Sequence, residues 1–274
     1  MKISDLITSV FVYFLFAIAG LFAKEQRSFR VEFFDVGQGD STYITTVNGK
    51  KILIDGGSNF DADYKLAKIM PFWSCYLDAV ILTHPHYDHI IGLNRILRRC
   101  KIGTVMFNDV VFTSQDFTDF KSLVKNLNVK NVFTGDEFEI DGVIFKVLWP
   151  DKDFLQTKIP DINDVSVVLF MDYGNFQAVF LGDAGAEVLG KINLNGIKSY
   201  LDGNFEVVKV SHHGSKFGVD KAFYEALKPK DCVISVGADN KFGHPAKEVV
   251  DYLQSINCSV MRTDELGDIE MKVL

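Results

Sequence analysis

The chain has 274 residues, a net charge of -7 and an apolar fraction of 47% with 24 phenylalanines. Such a composition supports a substantial core and excludes an intrinsically disordered chain. The acidic balance excludes a protein that coats nucleic acid nonspecifically, though not an enzyme that grips a few phosphates locally. The four cysteines, Cys75, Cys100, Cys232 and Cys258, have no C-x-x-C spacing, which excludes a cysteine zinc ribbon and a thioredoxin-type motif. Their even number permits disulfides. Several sit beside apolar runs, which favours buried free thiols.

Leu6 to Ala23 carries no charge and ends abruptly at Lys24-Glu25-Gln26-Arg27. It reads as a signal peptide or N-terminal membrane anchor over 1–23, placing the rest of the chain outside the cytoplasm: secreted, periplasmic or anchored. A single domain over 28–274 follows. Phe29 to Val36 alternates as a strand and ends in Gly37-Gln38-Gly39-Asp40. Strands 41–47 and 51–54 flank Asn48-Gly49, which predicts a type I′ hairpin, and Asp55-Gly56-Gly57 closes it. A helix over 64–73 precedes the apolar strand 77–82. That strand runs into Thr83-His84-Pro85-His86-Tyr87-Asp88-His89, the spacing H-x-H-x-D-H.

Residues two apart in extended chain point to one side. His84 and His86 can therefore share one ion, while Asp88 and His89, at the turn into a helix over 90–97, can reach a second. Imidazole with carboxylate suits zinc, or manganese and iron where oxygen ligands dominate. The helix is locally basic through Arg95, Arg98, Arg99 and Lys101. Next come a strand at 104–107, a helix at 115–127, and short strands at 130–133, 137–140 and 143–148. A polar loop from Pro150 to Asp164 leads to strands 165–171 and 176–181, the second ending in Gly182-Asp183. A helix over 184–192 precedes strand 206–210, which runs into Ser211-His212-His213-Gly214-Ser215. The chain closes with helix 219–227, strand 232–236, Phe242-Gly243-His244-Pro245, helix 246–255, and strands near 258–262 and 268–273.

All six histidines fall in short polar turns after apolar strands, as expected of a metal or active site rather than of core packing. Asp183, at a strand end beside Gly182, is a carboxylate placed to bridge two ions. His212 comes first off its strand and is taken as a ligand. His213 faces substrate or stacks outside it.

His84-x-His86-x-Asp88-His89, Asp183 and His212 together resemble the metallo-β-lactamase superfamily. Phe34 to Ser41, Ile54-Asp55-Gly56-Gly57, Asn163-Asp164-Val165-Ser166, Leu181-Gly182-Asp183, Ser211 to Ser215 and Phe242 to Pro245 are similar, more narrowly, to the ComEC-type competence branch. Only its extracytoplasmic hydrolase domain is matched. The resemblance implies an α/β fold, an αββα sandwich of two mixed sheets with helices on the outer faces. It also implies two divalent ions, zinc or manganese. One would be held by His84, His86 and Asp183, the other by Asp88, His89, Asp183 and His212.

The superfamily's usual third histidine before the bridging aspartate is missing; Asn163-Asp164 stands there, so an oxygen ligand from this region would complete a weaker first site. Asp35 and Asp55 are candidates to accept the second ring N–H of a ligand histidine. Asp88 and His244 are the candidate catalytic groups, His244 to protonate a leaving group or bind a phosphoryl oxygen. Ser215 and Lys216 are candidate phosphate contacts. The expected activity is a metal-dependent phosphodiesterase or nuclease acting on DNA, linked to DNA uptake and to a separate membrane channel protein. Hydrolysis of another extracellular ester (a phosphocholine ester or a β-lactam) and a non-catalytic DNA- or partner-binding module are the alternatives.

Overall fold

The alternation Phe29-Arg30-Val31-Glu32-Phe33 buries every second side chain, and this strand, β1 (Phe29–Phe33), is the first element described. The computed structural model describes residues 28–157, 159–201 and 205–273; the apolar segment at 6–23 lies outside the described residues. Strands β2 (Thr42–Thr45) and β3 (Lys51–Ile54) form a hairpin with β1. Its connection is not a type I′ turn. Thr46 and Lys50 close a three-residue loop by an N–H···O bond of 3.0 Å, and only Gly49 takes a left-handed φ, +83°. The Asn48 side chain instead reaches across to Asp141, at 2.7 Å.

Helix α1 (Asp61–Ile69) leads to β4 (Tyr76–Ile81), then α2 (Tyr87–Arg99), β5 (Lys101–Met106), α3 (Gln115–Val124) and β6 (Val129–Lys130). Next come β7 (Glu137–Ile140), β8 (Val143–Trp149), β9 (Val168–Tyr173) and β10 (Phe176–Phe180). The last third holds α4 (Ala186–Leu189), β11 (Val207–Lys209), α5 (Lys221–Leu227), β12 (Asp231–Ile234), α6 (Lys247–Ser255), β13 (Ser259–Arg262), α7 (Thr263–Leu266) and β14 (Ile269–Val273). Two of the helices, α3 and α5, begin where a side chain accepts the first free amides: Ser114 from Phe117 N and Asp220 from Phe223 N. The long helix expected over 184–192 is only α4, and β9 starts three residues late because Ile162–Val165 winds into a 3₁₀ turn capped by Asp161.

Two seven-stranded sheets result, in the orders β14-β1-β2-β3-β4-β5-β6 and β13-β12-β11-β10-β9-β8-β7. Each has an antiparallel half and a parallel half, β3 to β6 in one and β10 to β13 in the other. Their inner faces pack Phe33, Ile44, Ile52 and Ile81 against Phe145, Leu169, Phe180 and Val207. Outside the first sheet, Leu66, Ile90, Leu93, Phe117 and Phe120 of α1 to α3 cover Tyr43, Leu53 and Val80. Outside the second, Val188, Phe223, Leu227, Val249 and Leu253 of α4 to α6 cover Phe170, Val179 and Val208. This is the αββα sandwich. Among the described residues no helix is long and apolar enough to cross a membrane.

The cysteines correct the expectation of free thiols. Cys75 pairs with Cys100 and Cys232 with Cys258. Each bridge ties the base of one parallel strand to the entry of the next, β4 to β5 and β12 to β13. The enclosed separations are 25 and 26 residues. Closing such loops stabilises by about 3.5 kcal/mol each in the chain-entropy account. Both bridges lie at the strand ends opposite the carboxyl edges, where the histidines gather.

Candidate metal centre

Parallel strands deliver their loops to one edge, outside the carboxyl ends. Here the ends of β3, β4, β10, β11 and β12 supply Asp55, His84 to His89, Asp183, His212-His213 and Ser235. The first turn of α2 is held against neighbouring backbone: Asp40 N donates to Asp88 O (3.2 Å) and Gly56 N to His89 O (2.8 Å). Gly39 and Gly92 make this possible. A Cβ on Gly39 would lie 2.2 Å from Asp88 O, and one on Gly92 1.9 Å from Gly56 O.

Two clusters form around one carboxylate. His84, His86 and Asp183 offer ligand atoms within 4.8 Å of one another, and so do Asp88, His89, His213 and Asp183. His89 Nε2 lies 3.3 Å from Asp183 Oδ1, His84 Nε2 3.8 Å and His213 Nε2 3.6 Å from Asp183 Oδ2. His213 Nε2 is also 3.3 Å from Asp88 Oδ2. Yet Nε2 of His84, His89 and His213 and Oδ1 of Asp183 make no hydrogen bond, although all are buried. Buried polar atoms without partners are costly. Four converging on one point, imidazole nitrogens with a carboxylate oxygen, form the donor set of a divalent cation. The residues fit the group.

The other ring nitrogens are braced. Asp55 Oδ2 accepts from His89 Nδ1 at 2.8 Å, and Asp55 also accepts from Thr83 N (2.8 Å) and Thr83 Oγ1 (2.7 Å). His213 Nδ1 donates to the Ser235 carbonyl at 2.8 Å, with Asp40 Oδ1 at 3.3 Å. Both bonds leave Nε2 free to face the cluster. Asp183 is itself held by its backbone N–H donating to Ser166 Oγ, 3.1 Å.

The electrostatics follow. Burial resists charge on His213, but Asp183, Asp40 and Asp88 outweigh it and raise its pKa to about 10. His89 is likewise raised well above the ordinary histidine value, against its burial, by Asp183 and Asp55. His84 goes the other way: burial, with His89 beside it, lowers it well below that value. Asp183 is held well below the usual carboxylate range, against its burial, by His89 and His213.

Several sequence-level assignments change. The structure turns His213, rather than the expected His212, into the cluster with Asp88, His89 and Asp183. Directly after β11 the chain turns left-handed at both residues (φ +49° and +53°), so the strand alternation that favours the first histidine does not continue. Each left-handed non-glycine residue costs about 1–3 kcal/mol, a strain typical of functional sites. His212 sits on the rim, its side chain 28% exposed and Nε2 3.9 Å from Asp183. The bracing role expected of Asp35 belongs to Asp40; the Asp35 carboxylate instead accepts from Gly37 N in its own turn, at 3.1 Å.

Ser215 caps a turn by accepting from Phe217 N, and Lys216 is exposed over the Phe217 ring. Neither faces the cluster. Asp164 turns to the Gly185 backbone, and burial, with Asp161 nearby, raises its pKa. Asn163 does reach the cavity, and its Oδ1 is buried without a partner. His244 lines the same cavity, its ring centroid 5.6 Å from that of His212. Burial, then the two neighbouring histidines, push its pKa down to about 4. At neutral pH this favours the uncharged ring.

Sequence reasoning missed the role of Asp40, and it counted Lys209 among the lysines that could guide a polyanion, which its burial corrects. Lys209 is 2% exposed on β11 and forms a buried ion pair with Asp40. A lysine between Val208 and Val210 in a buried strand is the signal that could have found it. The basic stretch after the metal motif is also largely spent: Arg95 and Arg99 both clamp Asp63.

Residues 34–231 match the metallo-beta-lactamase superfamily, and the chain belongs to it. Within it, the chain is similar to two ComEC-type competence proteins. It is 29% identical over 263 residues to ComE operon protein 3 of Bacillus subtilis, covering 88% of this chain and 33% of that protein. It is 25% identical over 248 residues to Recombination protein 2 of Haemophilus influenzae, covering 89% and 29%. The chain thus spans about a third of the length of each. The metallo-beta-lactamase fold protein YhfI of Bacillus subtilis shares the fold with a TM-score of 0.57, at 14% identity, over 90% of this chain and all of that one.

Proposed function

We propose that this chain is an extracytoplasmic metal-dependent phosphodiesterase or nuclease acting on DNA. One observation carries the reading: unpartnered, buried Nε2 atoms of three histidines converge on Asp183. His84, His86 and Asp183 would hold one divalent ion, zinc or manganese, with Asn163 Oδ1 as the added oxygen. Asp88, His89, His213 and Asp183 would hold the other. When bound, such ions activate water at neutral pH and stabilise charge building on phosphoryl oxygens.

The chain's own residues do the rest. Asp55, with Ser235 O and Asp40, keeps the Nδ1 proton on His89 and His213, so both rings present Nε2 without reorganising. Lys209 neutralises Asp40 and keeps that carboxylate in place. Uncharged His244 can donate one ring N–H to a phosphoryl oxygen, or accept a proton, from a loop separate from the ligands. The two disulfides support export, since such bridges persist in oxidising compartments. Similarity to the competence proteins supports a nucleic acid substrate and a membrane channel partner.

The test is a substrate panel on the purified chain with manganese or zinc: bis-nitrophenyl phosphate, single- and double-stranded DNA, RNA, a phosphocholine ester and a β-lactam. Hydrolysis of the diesters is expected. Turnover of the phosphocholine ester or the lactam alone would contradict the reading, as would no turnover of any substrate.

A further inference from the structure

The cavity over the metal cluster is small, about 210 Å³. Sites that enclose a small ligand usually offer roughly 300–1,000 Å³. This one admits a phosphate and its immediate neighbours, so most of the substrate must lie outside it. Ionisable side chains of the cluster line its floor; the aromatic side chains among the lining, histidines aside, are Tyr87 and Phe242. They are also exposed, by 49% and 59%.

Neither ring sits there as part of a loose loop. Phe242 belongs to a turn tied by Asn240, whose Oδ1 accepts from Phe242 N (3.1 Å) and His244 N (3.0 Å), and whose Nδ2 donates to Gly237 O (2.8 Å) and His244 O (2.6 Å). Its ring lies nearly parallel to that of His244, centroids 5.9 Å apart and planes at 21°. Tyr87 is the first residue of α2, immediately before Asp88 and His89, so its backbone is as fixed as theirs. Lys241, next to Phe242, is exposed.

From this placement we infer that Tyr87 and Phe242 are platforms for unpaired bases, and that the site takes single-stranded polynucleotide in preference to duplex. The inference rests on the phosphodiesterase reading and names its substrate class. Aromatic faces at a phosphate-sized opening suit a chain whose flanking bases are free to stack; in a duplex those faces are already stacked and paired. The acidic net charge of -7 points the same way, because stacking then has to supply affinity that overall charge does not.

The experiment uses the full chain with manganese and three substrates: a single-stranded oligonucleotide, the same strand with abasic residues throughout, and the blunt duplex. Base stacking contributes about 1–3 kcal/mol per base. The base-bearing strand should therefore exceed the abasic strand in kcat/KM by roughly five- to a hundredfold per platform. Phe242→Ala and Tyr87→Ala should each shrink that preference, and Phe242→Trp should restore it. Equal turnover of the two single strands, a preference for duplex, or a preference that survives both alanine changes would overturn the inference. Cleavage of bis-nitrophenyl phosphate but of no oligonucleotide would overturn it while leaving a diesterase. Cleavage of no diester would overturn both.

Discussion

The two halves of the cluster share Asp183 but are built differently. On one side, His89 and His213 each have their second nitrogen fixed, by Asp55 and by Ser235 O with Asp40, and Asp88 completes four donors. On the other, His84 has only Thr83 Oγ1 beside its Nδ1, at 3.1 Å, and His86 is half-buried with its ring edge against Phe112. A third histidine is absent there, and Asn163 is what the chain offers. Bracing fixes ring orientation and raises ligand basicity. The braced half should therefore hold its ion tightly, and the sparse half should lose its ion first.

The largest effect is expected where the halves meet. Asp183→Asn removes the one anionic oxygen common to both, and both ions and all diesterase activity should be lost. Metal analysis after gel filtration checks this; one ion retained would show that the halves do not depend on a common bridge. A smaller, one-sided effect should follow Asp55→Asn, which keeps the shape but turns the acceptor at His89 Nδ1 into an amide. Affinity in the braced half should fall by about 10–100-fold, with the sparse half nearly unchanged. Equal weakening of both would erase the distinction.

The smallest effect is in pH. His213 titrates near 10 in the metal-free protein, against about 6.5 unfolded, so between these values the folded state holds the extra proton. Its stabilising contribution is complete below pH 6.5 and is lost as pH rises towards 10. His244, at about 4, has the opposite sign, its contribution growing with pH between 4 and 6.5. Metal-free protein should thus melt at progressively lower temperature from pH 7 to 10, while metal affinity climbs over the same span. Thermal melts with and without manganese check it, and a flat metal-free profile would contradict the charged His213.

Much of this was readable in the sequence because it is local. H-x-H-x-D-H sits in seven residues after an apolar strand, and Asp183 follows another, so chain direction alone places them at one edge. The sandwich followed from the resemblance that these motifs carry, and the short strands alternating with helices agree with it. What failed needed backbone geometry or long-range partners. His212 and His213 are adjacent, and only the left-handed turn at both decides which ring points inward. Asp40 and Lys209 are 169 residues apart, so their buried pair leaves no local pattern. The cysteine pairs depend on which strands become neighbours. Asp35 and Asp40 lie in one glycine-rich turn, and only its fold shows which carboxylate faces the histidines.

The proposed unequal dinuclear site is tested most directly by calorimetric titration of the metal-free chain with manganese, alongside His86→Ala, His212→Ala and His213→Ala. Two binding events of different affinity are expected. His86→Ala should remove only the weaker, His213→Ala the tighter, and His212→Ala neither. A single event in the unaltered chain, or loss of the tight event in His212→Ala with its retention in His213→Ala, would contradict the account.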